Sequence, residues 1–396
     1  MAENQNQPKE YDAVLGGQIP PPVNGLVLGG LEGAKLRLNS NNIKVKIATL
    51  KELISYKEIG LDLLLDLFQN EKSEEVKKSA YLLLRYRTEA KVKNILQNYD
   101  HWQLFDDIGT LEGESHLAHC MVISPDSQTL FTGGHNDTIK AWDLNLGKLK
   151  YTQLVKSGSI ISLDISLDGK TLVDGSRFVK IKVWEVKSDK IKRRQFLKNQ
   201  GGVSIIFVAL SADGETLFSG TLYHSTKIWN LKTGSCGGFE GDTWAARSYA
   251  ISQNKQTIVT GKHIINLWDV ETRRLKKTLQ SRSEVDRIAI SPNEKNIIGA
   301  FIDKTIKIWN VDTGNIVHTL TGHLDYITSL AISSDGKNLV SASRDQTIKI
   351  WDLNTGTLKK TLYGDSGCVN CIAISPDGQF ITSGSNDGTI NIWGVP

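Results

Sequence analysis

Two cysteines three residues apart, Cys368 and Cys371 in the segment CVNC, are the side chains best placed for metal chemistry in this chain of 396 residues. Thiolates and imidazoles hold zinc, and His116, His119, Cys120 and His135 are further donors of that kind. A metal-holding C-x-x-C sits on a turn, whereas CVNC lies in an apolar run that reads as a strand. Alternation along a strand sends Cys368 and Cys371 to opposite faces. No second C-x-x-C occurs, and small buried thiols are ordinary core residues. The expectation is no metal and no other cofactor.

Other reactive patterns fail on their surroundings. LDGKT (167–171) ends like a phosphate-binding loop, but Asp164 stands where that loop needs its first glycine, and the segment reads as a strand–strand turn. The glycines of VLGGLEG follow no strand. G-x-S-x-G and H-E-x-x-H do not occur. Glu284, Asp286, His119 and His135 are the ionisable groups that could converge in a channel, and no motif joins them. We expect no enzyme and no catalytic residue.

What must position all of these residues is a repeat. A tryptophan closes a β-branched run at Trp142, Trp184, Trp229, Trp268, Trp309, Trp351 and Trp393, with spacings of 42, 45, 39, 41, 42 and 42 residues. Upstream of each lies an apolar run and a polar turn, as in SLDISLDGKTL and CIAISPDGQFI. Asp-Gly and Pro-Asp between alternating apolar residues are hairpin chemistry. Each unit supplies four short strands, and a lone four-stranded sheet leaves both faces bare. Seven such sheets packed radially bury them. The expected fold is mainly β: a seven-bladed propeller of four-stranded antiparallel blades over residues 101–396. The chain ends after the third strand of its last unit, so a strand from about 104–111 is expected to complete that blade.

These repeats resemble the WD40 family. The resemblance implies a buried tetrad, which only blade six retains in full, as His323, Ser341 or Ser343, Asp345 and Trp351. Blades five and seven keep Asp303 and Asp387 but carry Ser281 and Asp365 in place of the histidine. Blades one to three carry Asn136, Phe178 and Tyr223 at the aspartate position. The tetrad is expected to be structural.

The resemblance also implies a docking surface on the propeller's top face. Carried over by register, it comprises His119 and His135; Ile161 and Arg177; Ile206 and Leu222; Arg247; Glu284 and Asp286; Tyr326 and Arg344; and Asn370 and Asn386. Trp244 is a further aromatic candidate. An apolar half-ring of Ile161, Ile206 and Leu222 opposite Glu284 and Asp286 suits a peptide or loop with an apolar and a basic residue. The expected function is a protein–protein interaction scaffold or assembly subunit.

Residues 1–21 read as an extended leader without signal-peptide features, and residues 22–100 as helical. Apolar residues recur three and four apart at Leu50, Leu53, Ile54, Leu61, Leu64, Leu65 and Phe68. Ser73, followed by Glu74 and Glu75, reads as a helix N-cap. KEIGLDLLLDLFQNEKSEEVKKSAYLLLR resembles a HEAT-like repeat, and the leader resembles those of cyanobacterial repeat proteins. Together they imply a small all-α domain that binds rather than reacts.

Composition agrees with a globular chain: 39% hydrophobic, 23% charged, four cysteines, net charge +4. No run of 18 apolar residues occurs, which points to a cytoplasmic protein without membrane insertion. The charge is too mild to announce nucleic acid, although KSDKIKRRQFLKN (187–199) is locally basic. Basic residues on outer strands commonly block sheet-to-sheet aggregation. The alternative is a nucleic-acid-associated subunit using the basic outer side of blades two and three.

Overall fold

The computed structural model describes residues 29–97, 99–111, 117–156, 158–177, 180–198, 204–221, 226–239, 246–281, 283–363 and 367–395. The leader, His116, Leu222 and Trp244 lie outside the described residues. The chain divides into two compact units, residues 1–104 with 395–396 and residues 105–394.

The first unit holds helices α1 (Gly30–Leu38), α2 (Ile43–Leu53), α3 (Lys57–Asn70), α4 (Glu74–Leu84) and α5 (Ala90–Gln97). The three-and-four spacing buries Leu50, Leu53, Leu61, Leu64, Leu65, Phe68, Val76 and Leu84. Ile54 does not join them. It opens a 3-10 turn, Ile54–Tyr56, and stays exposed. Gly60 permits the tight return from that turn, because a Cβ there would lie 1.8 Å from the Leu53 carbonyl oxygen. Ser73 occupies the N-cap of α4, yet its side chain makes no cap bond. Glu71 Oε1 instead accepts from the amides of Lys72 and Ser73 at 2.8 and 2.9 Å. A working side-chain cap appears at Asn42, which accepts from the amides of Lys44 and Val45. No helix of the described residues is long and apolar enough to cross a membrane.

The second unit is a seven-bladed β-propeller of seven four-stranded antiparallel sheets. In blades one to six the strands run in chain order from the inner strand to the outer one. In blade seven, Val369–Ile374, Phe380–Ser385 and Ile390–Gly394 are followed by Asp106–Leu111, which pairs antiparallel with Ile390–Gly394. The two ends of the repeat array therefore meet within one sheet. The physical gain is that neither terminal strand leaves its neighbour unpaired.

Alternating side chains fill the seams between blades. Between blades one and two, Phe131, Ile139, Val155, Ile160, Leu172, Trp184 and Ile191 form one buried cluster. Between blades three and four, aromatic rings take over: Phe207 stacks on Tyr249 at 5.2 Å, and Phe239 meets Trp268 at 5.2 Å. Gly220 makes room there, since a Cβ would lie 2.4 Å from the Tyr249 ring. LDGKT is the turn between the first two strands of blade two, with Gly169 at φ 71° and Asp168 accepting from the Lys170 amide.

Candidate functional site

The tetrad positions explain why the loops around them stand where they do. In blade six, Trp351 Nε1 donates to Ser341 Oγ at 2.8 Å, and Ser341 Oγ lies 2.7 Å from His323 Nε2. His323 Nδ1 lies 2.9 Å from Asp345 Oδ2. With the imidazole proton on Nδ1, each group in this chain donates to the next. Ser341 is the tetrad serine; Ser343 Oγ donates to the Asp325 carbonyl oxygen instead. Asp345 also accepts from the Leu324 amide at 2.8 Å and from Thr347 Oγ1 at 2.7 Å. Burial alone would raise its pKa, but the His323, Thr347 and Leu324 hydrogen bonds hold it well below the usual carboxylate range.

That network anchors a loop that carries exposed apolar surface on the top face. Leu324, next to His323, is 79% exposed, Tyr326 is 40% exposed and Ile302 on the neighbouring turn of blade five is 44% exposed. Lys304 Nζ donates to the Leu324 carbonyl at 2.7 Å and joins the two blades. The Arg344 guanidinium lies over the Tyr326 ring at 5.7 Å, and its amide donates to the Tyr326 carbonyl. Among the described residues, no carboxylate pairs with Arg344.

The other residues expected at the top face fall into small groups. Glu284 and Asp286 face a cation already: Arg247 Nε lies 2.7 Å from Asp286 Oδ1, and Arg247 Nη1 lies 3.3 Å from Glu284 Oε1. One cation from the adjacent blade thus bridges the two carboxylates and offsets one of their two charges. Beside it, Arg287 Nε donates to the Thr328 carbonyl and bridges blades five and six. His119 and His135 lie ring against ring with centroids 4.2 Å apart, and His135 Nδ1 is 2.5 Å from Ser159 Oγ. Burial, and then the charges of His135 and Arg177, push the His119 pKa down to about 4. Asn370 donates to Asn386 at 2.6 Å. Ile161 and Ile206 are half-buried and Arg177 is exposed. The apolar surface of the described top face thus centres on blades five and six. Leu324 was not visible as a site residue, because the register used for the carry-over reads the strand starts and skips the loop before them.

Cys371 is buried, and its thiol donates to the Ala118 carbonyl at 3.5 Å. Cys120 bonds the Gly133 carbonyl, and burial raises its pKa well above that of a free thiol. No cluster of three or more His, Cys, Asp or Glu among the described residues could hold a metal.

Four segments, residues 105–143, 273–310, 314–352 and 356–394, match the WD40 family, described as WD domain, G-beta repeat. The chain carries WD40 repeats. Each match runs from one blade's outer strand through the three inner strands of the next, which is the offset that closes the ring. Blades two, three and four contribute no inner strands to these matches. Among curated proteins, Protein tipD of Dictyostelium discoideum is 35% identical over 65 residues, 16% of this chain and 11% of its own length. Autophagy-related protein 16 of Arabidopsis thaliana is 29% identical over 86 residues, 21% of this chain and 17% of its own length. The matched stretches span less than a fifth of either relative.

Proposed function

We propose that this chain is a non-catalytic, cytoplasmic interaction scaffold that docks a peptide or loop of another protein on the top face of blades five and six. The observation that carries the reading is the exposed group of Leu324, Tyr326 and Ile302, with Arg344 stacked on the tyrosine. Tyrosine and arginine are enriched among residues that dominate interface energetics, and exposed apolar side chains gathered in one place mark contact surfaces. An apolar partner residue covers Leu324 and Tyr326. A basic partner residue meets Glu284 and Asp286 with Arg247 already bridging them, whereas an acidic one finds Arg344 without a carboxylate among the described residues. The helical unit, read as HEAT-like, acts as an adaptor. A propeller of this kind hosts many functions, so the surface residues and not the ring define the partner.

The test is capture from the native host with the intact chain and with the Tyr326→Ala, Arg344→Glu double variant, read by quantitative mass spectrometry. We expect at least one protein held by the parent chain to fall tenfold or more with the variant, while both unfold at the same temperature. If every captured protein is retained equally, the top-face reading fails.

A further inference from the structure

We propose a second docking site, on the side of the ring, that takes an extended acidic peptide bearing an apolar residue. It is the cleft between the outer strand of blade one (Lys148–Leu154) and the outer strand of blade two (Ile191–Lys198). The cleft encloses about 540 Å³, lined by Leu154, Val155, Lys156, Lys192, Arg193 and Phe196 with Trp184 in its floor. Leu154 and Phe196, on the outer strands of adjacent blades, are 52% and 58% exposed. Five cations line it, Lys156, Lys182, Lys190, Lys192 and Arg193, and among the described residues no carboxylate does. Lys182 is spoken for, because its Nζ donates to the Val155 carbonyl and spans the two blades. Among the described residues, Lys190 pairs only with the exposed Asp189, at 3.8 Å.

Protection of a sheet edge does not account for these charges, because the lysine at the matching position of three other blades is tied down. Eight residues after the repeat tryptophan, Lys150, Lys276 and Lys359 each reach an aspartate of their own blade, Asp143, Asp269 and Asp352, at 3.5, 3.6 and 3.1 Å. Lys192 holds the same position in blade two. The residue equivalent to those aspartates is Glu185, and it lies 3.7 Å from Lys187 instead. Among the described residues, Lys156, Lys192 and Arg193 have no ion-pair partner.

The cleft's shape selects the class of ligand. Lys192 to Phe196 belong to the last strand of their sheet, whose outer edge has no neighbouring strand among the described residues and can pair with an extended backbone. Leu154, Val155 and Phe196 make an aliphatic wall with one ring, which fits a side chain. A nucleic acid requires successive stacking rings and a longer basic track. Blade three does not extend the track: its outer strand, Cys236–Gly238, carries no charge, and Lys232 is paired with Glu215 at 2.5 Å.

The experiment uses fluorescence anisotropy with the intact chain and three labelled probes. One is a ten-residue peptide alternating glutamate with leucine around a central phenylalanine; the second has lysine for each glutamate; the third is a ten-nucleotide oligothymidylate. The acidic peptide should bind at least tenfold more tightly than the other two. Lys192→Glu with Arg193→Glu should weaken it tenfold or more and Phe196→Ser several-fold, while Tyr326→Ala with Arg344→Glu leaves it unchanged. Should the charge-reversed chain unfold early, Lys192→Gln with Arg193→Gln replaces it, with an expected loss of about threefold. Equal affinity for the parent and charge variants overturns the site. Tighter binding of the oligothymidylate overturns the peptide assignment in favour of nucleic acid. Loss of acidic-peptide binding with the top-face variant shifts that binding to the first surface.

Discussion

Blades six and two place a carboxylate under the same structural tryptophan and treat it in opposite ways. In blade six the aspartate stands on the turn, where His323, Thr347 and the Leu324 amide converge on it, and a serine beneath accepts a hydrogen bond from Trp351 Nε1. In blade two the carboxylate has moved into that lower position. Asp174 accepts from Trp184 Nε1 at 2.6 Å, is fully buried, and its Oδ1 has no hydrogen-bond partner. Blades one, three, four, six and seven all use a hydroxyl there, from Thr132, Ser219, Thr260, Ser341 and Ser383. Burial raises the Asp174 pKa to about 7, against the opposing pull of Trp184 and the Lys182 charge. A buried carboxylate is thus stabilising or costly according to how many donors its register position supplies.

The largest expected effect is in the pH dependence, where the two aspartates have opposite signs. Folded Asp174 keeps a proton up to about pH 7, whereas the unfolded chain releases it near pH 3.9. The folded state therefore binds more protons between those values, and stability falls as pH rises through them, by about 4 kcal/mol, then levels off. Asp345, depressed when folded, contributes stability above about pH 4 that is lost as the solution is acidified. Unfolding temperatures from pH 3 to 8 check both signs. Asp174→Asn should flatten the curve between pH 4 and 7, and Asp345→Asn should flatten only its acid limb. An Asp174→Asn curve parallel to the parent's would remove the contrast.

The ring was legible because its signal is repetitive: seven tryptophans in register, with hairpin turns before them, leave few other architectures. The tetrad of blade six was legible for the same reason, since every member sits at a fixed offset from Trp351. Asp174 was not, because an aspartate in a strand between valine and glycine carries no local sign of burial; its burial comes from the packing of the blades. The Arg247 pairing with Glu284 and Asp286 joins residues that are distant in sequence and meet only when adjacent blades pack. Ile54 misled in the opposite way: its spacing is helical, but α2 ends one residue earlier. The basic run at 187–199 was visible in the sequence, while the unpaired state of Lys192 within it depends on Glu185 turning to Lys187.

Removing the histidine of the intact network is the next largest effect. His323→Ala leaves Asp345 and Ser341 each without one buried partner and should cost about 3 kcal/mol by urea unfolding at pH 7. In blade two, Lys156 stands where blade six has His323 and forms no part of a tetrad. Lys156→Ala should therefore change stability by no more than about 0.5 kcal/mol. Similar costs for the two would mean that the loop position, and not the network, is what matters.

The smallest effect sharpens the comparison at the outer strands. Lys359 lies 3.1 Å from Asp352 and 2.6 Å from Asn338 Oδ1, and it is mostly covered. A pair with that geometry contributes about 0.5–1 kcal/mol, so Lys359→Ala should lower stability by that amount, with part of the effect lost in 1 M salt. Lys192 has the same register but no partner among the described residues, and it sits among like charges. Lys192→Ala should be neutral or slightly stabilising, with the opposite salt trend, because salt already screens the repulsion that the substitution removes. A loss of stability at Lys192 equal to that at Lys359 would make it another edge brace. A neutral result leaves a charge that the fold does not use, held on a strand with an open edge, and supplied at the place where an acidic chain would need it.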